Sequence, residues 1–228
     1  MKTTAIILSA GKGTRLSADR PKQYLEVGGK PLLSYSLAAF EESRIDEMII
    51  VCGAGDEEFV RTEISEKYGY SKVCSIVPGG AERYDSVSCG LHAAAGADYV
   101  LIHDGARPFI SPEVINKTID EVIEHDAVVC GMPVKDTIKI ADEGGFIDST
   151  TKRSLTWLVQ TPQAFKYSLI LHAYETVLAC TAAGEITDDT YVFKLAYPDA
   201  KIKLLEGGYE NIKITTPEDL EFARWKLS

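Results

Sequence analysis

A glycine-rich loop and a cluster of cations follow the first apolar run of the chain, residues 5–8. The loop reads SAGKGTRL at residues 9–16, and RPKQY follows at residues 20–24. Between positions 12 and 22, four cations stand against one acid, so this segment carries +3 in a chain of net charge −10. Small residues let backbone N–H groups approach phosphate oxygens, which the cations neutralise. The pattern predicts a nucleoside triphosphate site. The residues expected around the phosphates are Ser9, Ala10, Gly11, Gly13, Thr14, Arg15 and Lys22.

The spacing of this loop separates it from two common phosphate-binding motifs. A P-loop places Ser or Thr after its lysine, whereas Gly13 follows Lys12 here. A dinucleotide-binding motif needs a third glycine where Leu16 stands. What remains is a strand, AGKGTR, PKQ, and then GGKPLL at the start of an apolar helical period. This order resembles nucleotidyltransferases that join a nucleoside monophosphate to a sugar phosphate.

Two further polar segments follow runs that are typical of strands. In GGAERYDSV, the glycine pair ending at Gly80 permits close backbone approach, and Ser86 offers a hydroxyl to a base or a phosphate. HDGARPF supplies Asp104 and Arg107. A carboxylate beside a triphosphate suits Mg²⁺, directly or through water, or a ribose hydroxyl. We therefore expect Gly80 and Ser86 to contact the nucleotide, and Asp104 to lie at the metal and the substrate.

A second group of hydroxyls and cations lies in the C-terminal half of the chain and suits a second phosphate and a polyol. Its members are Thr137 in PVKDTIK, Arg153, Thr161 in QTPQAF, Thr187 in ITDD and Lys213 in NIKITTPEDL. For the threonines, helix capping is an equal alternative to ligand contact. TPED is itself a helix start, with Thr216 as N-cap and Asp219 at N3. Lys213 lies in a strand-like NIKIT run beside that cap.

These segments must be positioned by the elements between them. Strand-like runs at residues 5–8, 48–52, 73–77, 99–102 and 128–132 alternate with helix-like segments. Such alternation predicts an α/β fold with a doubly wound, mainly parallel sheet and helices on both faces. In this architecture ligands bind at the carboxyl ends of the strands, near a switch in strand order. Because the glycine loop and HDGARPF both follow strands, we expect them to build one pocket.

The alternation breaks over residues 134–157. Apolar residues on either side of a DEGG turn, residues 142–145, predict a protruding β-hairpin with little to bury its sides. We expect this arm to pack on another subunit, and a solvent-exposed hairpin is the alternative. The chain contains no linker or low-complexity tract, so we expect a single domain over residues 1–228.

Composition argues against several classes of function. A net charge of −10 disfavours nucleic acid as a partner, because binding a phosphate backbone needs a basic face. No run approaches the roughly 18 apolar residues of a membrane span, and the apolar N-terminal patch is too short for a signal peptide. We therefore expect a cytoplasmic protein without membrane contact. The five cysteines stand singly, without a CxxC pair, and are expected to be buried free thiols.

Eight motifs cover nearly the whole chain and resemble one family. In chain order they are AGKGTR, PKQY, GGAERYDSV, HDGARPF, PVKDTIK, QTPQAF, TDD and NIKITTPEDL. The chain resembles the 2-C-methyl-D-erythritol 4-phosphate cytidylyltransferases, CTP-using enzymes of the non-mevalonate isoprenoid pathway. The resemblance implies a nucleotidyltransferase fold, release of pyrophosphate, dependence on Mg²⁺ and a homodimer joined through the arm. Departures are mild, since Ser9 and Leu16 stand where alanine and methionine are common.

The same resemblance implies roles for individual residues. It places stabilisation of the transition state on Arg15 and Lys22, and positioning of the sugar phosphate on Arg153 and Lys213. Arm residues of this family reach the active site of the partner subunit. The candidates to act across the dimer are Thr137, Arg107 and Arg153.

Three alternatives remain open. A ribitol 5-phosphate cytidylyltransferase has the same loops and takes a polyol phosphate of similar length. A nucleotide-binding regulator keeps the fold without the reaction, although the joint presence of the charged site residues argues against it. A purine or uridine nucleotidyltransferase is the third alternative. Pyrophosphate release with different substrates separates them.

Overall fold

The structure is a computed structural model that describes residues 1–11, 21–180 and 186–227. Its strands are β1 (Thr3–Ser9), β2 (Glu26–Val27), β3 (Lys30–Pro31), β4 (Glu47–Cys52), β5 (Val73–Pro78), β6 (Tyr99–Asp104), β7 (Ala127–Pro133), β8 (Lys139–Ala141), β9 (Ile147–Thr150), β10 (Trp157–Lys166) and β11 (Lys203–Glu206). Its α-helices are α1 (Leu32–Glu42), α2 (Glu57–Phe59), α3 (Arg83–Ala93), α4 (Pro112–His125), α5 (Tyr167–Ala179), α6 (Asp189–Ala196) and α7 (Pro217–Lys226). Short 3₁₀-helices span Lys22–Tyr24 and Arg153–Leu155, and a π-helix spans Val60–Glu66. No helix within the described ranges is long and apolar enough to cross a membrane.

Seven strands form one sheet in the order β11-β7-β10-β6-β1-β4-β5. β1 pairs in parallel with β4 and β6, β4 pairs in parallel with β5, and β7 pairs in parallel with β11. β10 runs antiparallel to both of its neighbours, β6 and β7. The predicted mainly parallel sheet is thus confirmed, and each of the five predicted strands is present.

Side chains of the central strand β1 alternate between two hydrophobic cores, because successive residues of a strand point to opposite faces. Ala5 and Ile7 pack in the same core as Leu37 of α1. Ile6 packs on the other side, in the core that contains Leu91 of α3. α4 covers the first face, and α5 and α6 cover the second. The sheet is therefore covered by helices on both faces, as a doubly wound fold requires.

The strand order reverses at β1, because β4 lies on one side of it and β6 on the other. In the register of β1 and β6, Leu8 stands opposite Asp104. The end of β1, where the glycine loop starts, and the polar end of β6 therefore meet at one edge of the sheet. This is the topological switch point at which ligands bind in such folds.

The predicted arm is a two-stranded hairpin of β8 and β9. The turn residue Gly145 has a φ of +81°, a left-handed conformation that favours glycine. Phe146 and Ile147 follow it and are 74% and 66% exposed. The hairpin prediction is confirmed, and within this chain the apolar sides of the arm remain open.

Two expectations about local structure are wrong. The NIKIT run is not a strand: Ile214 N donates to the carbonyl oxygen of Ala106 at 2.8 Å, but the segment forms no ladder with a neighbouring strand. The cysteines are free, but Cys74 and Cys180 are exposed rather than buried. Cys74 lies on β5, an edge strand of the sheet, and Cys180 follows the end of α5.

Candidate active site

The PKQY segment is tied to the start of the glycine loop. Gln23 is buried, and its Nε2 donates to the carbonyl oxygens of Ser9 and Gly11, the latter at 2.9 Å. The Nζ of the preceding Lys22 donates to the carbonyl oxygen of Ile214 at 2.7 Å. These bonds hold Lys22 beside the end of β1. Three predicted loop residues lie outside the described part of the chain: Gly13, Thr14 and Arg15.

The glycine pair after β5 lets two loops lie against each other. A Cβ on Gly79 would lie 2.6 Å from the Cβ of Ala10 and 2.6 Å from the Oγ of Ser86, so the contact requires glycine. The backbone N of Gly80 donates to the Oγ of Ser86 at 3.2 Å. The same hydroxyl donates to the carbonyl oxygen of Glu82, the N-cap of α3, at 3.2 Å. Ser86 thus shapes the turn into α3 and lies at the site.

Asp104, at the end of β6, lies beside three cations. Its carboxylate oxygens are 2.9 Å from Lys213 Nζ, 3.3 Å from Arg83 Nε and 3.8 Å from Arg107 Nε. Burial alone would raise the pKa of Asp104, but the neighbouring cations outweigh it, Arg83 foremost, and hold that pKa far below its usual range. Asp104 is therefore ionised at neutral pH. We call these four residues the Asp104 cluster.

Arg83 is held by a second carboxylate, that of the fully buried Asp189 at the start of α6. Nη1 and Nη2 of Arg83 donate to the two oxygens of Asp189, each at 2.8 Å. The hydroxyl of Tyr174 donates to the same carboxylate at 2.6 Å, and the backbone N of Asp189 donates to Gln163 Oε1 at 3.0 Å. Burial alone would lower the pKa of Arg83, but Asp189 and Asp104 outweigh it and raise that pKa. Arg83 is therefore a fixed cation.

Thr161 and His103 support Asp104 from inside the protein. The Oγ1 of Thr161 accepts a hydrogen bond from the backbone N of Asp104 at 3.0 Å and lies 3.0 Å from His103 Nδ1. Burial lowers the pKa of His103 to about 3, so this ring is neutral at physiological pH. The partners of the Thr161 hydroxyl therefore lie within the fold, and they are not the helix ends that capping would imply.

Two pockets meet at the Asp104 cluster. The first pocket lies between the end of β1 and the start of α3, and the second lies between β10 and the segment before α6. Arg83, Asp104 and Lys213 line both pockets, so they form one charged wall that the two pockets share. The other predicted site residues in the first pocket are Ser9, Ala10, Gly11, Lys22, Gly80 and Ser86. Those in the second pocket are Arg107, Thr161 and Thr187.

Of the predicted site residues that the structure describes, two belong to neither pocket. Thr137 is exposed at the root of the arm, before β8. Arg153 is exposed in the 3₁₀-helix that follows β9. A single chain therefore does not bring Thr137 and Arg153 to the charged wall beside Lys213.

Comparison with known proteins gives the family. The family model of 2-C-methyl-D-erythritol 4-phosphate cytidylyltransferase, IspD, matches residues 3–228. The chain belongs to this family. A relative of that name from Lachnoclostridium phytofermentans is 47% identical over 224 residues, with 97% of this chain and 94% of the relative covered. One from Clostridium acetobutylicum is 45% identical over 229 residues, with 98% and 96% covered.

Solved structures of the family share this fold. The 4-diphosphocytidyl-2C-methyl-D-erythritol synthase of Anaerococcus prevotii superimposes with a TM-score of 0.87 at 38% identity, over 99% of this chain and 96% of that one. The 2-C-methyl-D-erythritol 4-phosphate cytidylyltransferase of Thermus thermophilus superimposes with a TM-score of 0.78 at 30% identity, over 100% and 99%. The α/β nucleotidyltransferase fold of the cytidylyltransferase family is thus present here.

The family motifs contain two charged residues that sequence reasoning passed over. Arg83 stands within GGAERYDSV and Asp189 within TDD, yet only their neighbours were singled out as site residues. The two lie 106 positions apart, and their pairing depends on the packing of α6 against α5 and on the bond from Asp189 to Gln163 of β10. The only hint of this pairing in the sequence is weak, because it consists of one cation and one acid that stand in two motifs of the same cytidylyltransferase signature.

Proposed function

We propose that the chain transfers CMP from CTP to 2-C-methyl-D-erythritol 4-phosphate, giving 4-(cytidine 5'-diphospho)-2-C-methyl-D-erythritol and pyrophosphate. The observation that carries this proposal is the charged wall of Arg83, Asp104 and Lys213 shared by two pockets. Such a wall suits a reaction in which a phosphate from each side must approach the other. Membership of the cytidylyltransferase family supports the choice of both substrates.

CTP occupies the first pocket in this proposal. Its triphosphate lies along the glycine loop, and its cytosine lies against Gly80 and Ser86. Lys22 and Arg15 stabilise charge that builds on the phosphate oxygens as the reaction proceeds. The location of Lys22 at the end of β1, fixed through Gln23 and Ile214, supports this placement.

The methylerythritol phosphate occupies the second pocket. Thr187 and Arg107 line that pocket, and Lys213 presents its ammonium group from the shared wall. A phosphate oxygen of this substrate attacks the α-phosphorus of CTP, forming a new P–O bond while the bond to the β-phosphate bridging oxygen breaks. Pyrophosphate leaves with that electron pair. A phosphate monoester is already ionised near neutral pH, so the attack needs no general base. The neutral, internally bonded His103 fits this scheme.

The active enzyme is a homodimer joined through the arm. Phe146, Ile147 and Leu155 are exposed on or beside this arm, and apolar surface of this kind is characteristic of protein interfaces. Thr137 and Arg153 lie outside both pockets of their own chain. In the dimer we assign them to the second pocket of the partner subunit, where Arg153 positions the sugar phosphate.

We assign a Mg²⁺ ion to the first pocket, beside Asp104. No group of three His, Cys, Asp or Glu side chains in the described ranges is placed to hold a metal by itself. Mg²⁺ bound to nucleotides needs only one or two protein carboxylates, because phosphate oxygens and water complete its shell. Asp104 supplies one ionised carboxylate to the first pocket. When bound, the ion would offset the negative charge on the phosphate oxygens.

Pyrophosphate release tests the proposal directly. The protein is incubated with CTP and Mg²⁺, and methylerythritol 4-phosphate and ribitol 5-phosphate are offered in separate reactions. Release with the first substrate is the expected result. Release mainly with ribitol 5-phosphate would indicate a polyol cytidylyltransferase. No pyrophosphate release with either substrate would indicate a nucleotide-binding regulator or an enzyme that uses a different nucleotide. Repeating the reactions with UTP in place of CTP separates these two cases.

A further inference from the structure

The Asp189 carboxylate lines neither pocket, yet it makes the closest contacts to a residue that lines both. Asp189 is fully buried, and its two oxygens receive Nη1 and Nη2 of Arg83, each at 2.8 Å. Two parallel bonds of this kind fix the plane of a guanidinium group as well as its position. We infer that Asp189 is a positioning residue for the reaction and sets the Arg83 guanidinium in the wall between the pockets. This inference rests on the proposed function.

The remaining donors of Arg83 are available to a ligand. A guanidinium has five N–H groups. Three are used, two by Asp189 and the Nε–H by Asp104 at 3.3 Å. One N–H on each Nη remains, and the side chain is 29% exposed. Arg83 can therefore contact phosphate oxygens where the two substrates meet, and Asp189 determines where those donors point.

The surroundings of Asp189 hold the carboxylate itself in place. The Tyr174 hydroxyl donates to it at 2.6 Å, and the backbone N of Asp189 is bonded to Gln163 Oε1 at 3.0 Å. Gln163 Oε1 also accepts from the backbone N of Thr190 at 3.1 Å, so it anchors the start of α6. Tyr174 and Gln163 thus hold the carboxylate that binds both Nη atoms of Arg83.

Stability alone is a poor reason for this arrangement. Burying two charges costs desolvation, and well-packed apolar residues of the same volume are often as stabilising as a buried ion pair, or more so. Arg83 of this ion pair is bonded to Asp104, and Asp189 is bonded to the hydroxyl of Tyr174. We therefore assign its charge to the placement of Arg83 at the reacting phosphates.

The experiment compares Asp189→Asn, Arg83→Leu and the double variant by steady-state pyrophosphate release with CTP, Mg²⁺ and methylerythritol 4-phosphate. Asp189→Asn keeps the volume and loses the charge. We expect kcat to fall about 10- to 100-fold, because displacement of a catalytic group by about 1 Å costs up to about 100-fold. The KM for CTP should change less than about threefold. In the Arg83→Leu background, Asp189→Asn should change kcat less than about threefold, because its effect passes through Arg83.

An equal loss from Asp189→Asn in both backgrounds would overturn the inference, because Asp189 would then act independently of Arg83. Asp46→Asn is the matched control: its carboxylate accepts two bonds from Thr3 at the opposite end of β1, and kcat should be unchanged. Arg83→Lys covers the case in which Asp189→Asn fails to fold, because it keeps the charge and loses the fork. Wild-type kcat in Arg83→Lys would refute the inference.

A measurement without substrates separates this inference from the proposed function. The ¹⁵N resonance of Arg83 Nε is followed in the wild-type protein and in Asp189→Asn. We expect faster exchange of its proton in the variant, because the guanidinium loses its anchor. An unchanged Arg83 signal contradicts the positioning role, whatever substrates the enzyme uses. Absence of pyrophosphate release by the wild-type protein contradicts only the proposed function.

Discussion

The Asp104 cluster and the arm differ in how much of their surface the chain itself buries and contacts. Asp104 is 8% exposed, and every residue of its cluster has a partner from a distant part of the same chain, which for Arg107 is the carbonyl oxygen of Asn211. On the arm, Phe146 and Ile147 are 74% and 66% exposed. The cluster is preorganised by the fold, so in the proposed reaction its charges would already be in place. The arm has a defined hairpin but apolar sides that its own chain leaves open, so we expect its function to depend on a second chain.

The largest expected effect is in the first pocket, beside the Asp104 cluster. Lys22→Ala should lower turnover by about 10²–10³, the usual loss when one preorganised donor to a developing charge is removed. Pyrophosphate release at saturating CTP and methylerythritol 4-phosphate measures it. Lys30→Ala removes an exposed cation eight positions further on and should leave turnover unchanged. A Lys22→Ala enzyme as fast as the wild type would remove Lys22 from the mechanism, and Arg15→Ala tests the other loop cation in the same way.

The arm should respond through association rather than through chemistry. Phe146→Ser should cost about 2 kcal/mol or more of dimerisation free energy if Phe146 is a central interface residue. That corresponds to a dissociation constant raised roughly 30-fold. Sedimentation at several protein concentrations measures the fraction of dimer, and turnover at those concentrations should rise with that fraction. Leu195→Ser, at an exposed leucine of α6, is the control. Full activity in a strictly monomeric variant would show that the site is complete within one chain.

Acid should lower the stability of the fold through its buried titratable residues. The folded protein keeps His103 neutral with a pKa of about 3, whereas the unfolded chain protonates it near 6.5. The unfolded state therefore binds more protons as the pH falls below 6.5, and the free energy of unfolding decreases by up to roughly 1.4 kcal/mol per pH unit from this group. Asp104 acts in the same direction, but only below pH of about 4.

Urea denaturation between pH 6.5 and 4.5 measures that slope. His103→Gln should unfold at lower urea than the wild type at pH 6.5, and its flatter dependence on pH should narrow the difference towards pH 4.5. His172→Gln, at an exposed histidine, should leave the wild-type slope intact. The same slope in His103→Gln and in the wild type would assign the acid sensitivity to other groups.

The smallest expected effect is at the helix that follows Lys213. Thr216 Oγ1 accepts from the backbone N of Asp219 at 3.3 Å, and the Asp219 side chain accepts from the backbone N of Thr216 at 2.9 Å. Thr216→Ala should cost about 1 kcal/mol of stability. For a chain of this size that is a fall in Tm of about 2–4 °C. Calorimetry measures it, with Thr62→Ala in an exposed stretch as the control; equal melting temperatures for wild type and Thr216→Ala would contradict the cap.

Much of the fold could be predicted, because its signals are local. The five strand-like runs, the helix that begins at Leu32, the DEGG hairpin and the cap at Thr216 are all present where the sequence pattern placed them. The NIKIT run was mispredicted because alternating apolar residues also suit an irregular segment whose isoleucines pack beneath α7. Exposure of Cys74 was missed because a strand-like run of residues does not reveal that its strand lies at the edge of a sheet.

The site could be predicted in part for the same reason. Lys22, Asp104 and Lys213 stand in motifs that close a strand or precede a helix, and the fold brings all three to the first pocket. Thr161 stood in such a motif as well, but its hydroxyl is engaged by Asp104 and His103. The motif identifies a residue near the site, whereas the partners of its side chain follow from packing.

The sequence by itself determined the order of elements and the family to which the chain belongs, because these depend on residue types at short spacing. Only the tertiary structure decided that β10 runs antiparallel, that one charged wall serves two pockets, and that Arg83 is anchored by Asp189. Each of these depends on contacts between segments tens of residues apart. Burial then sets their strength, since the same carboxylates and cations would interact weakly in water.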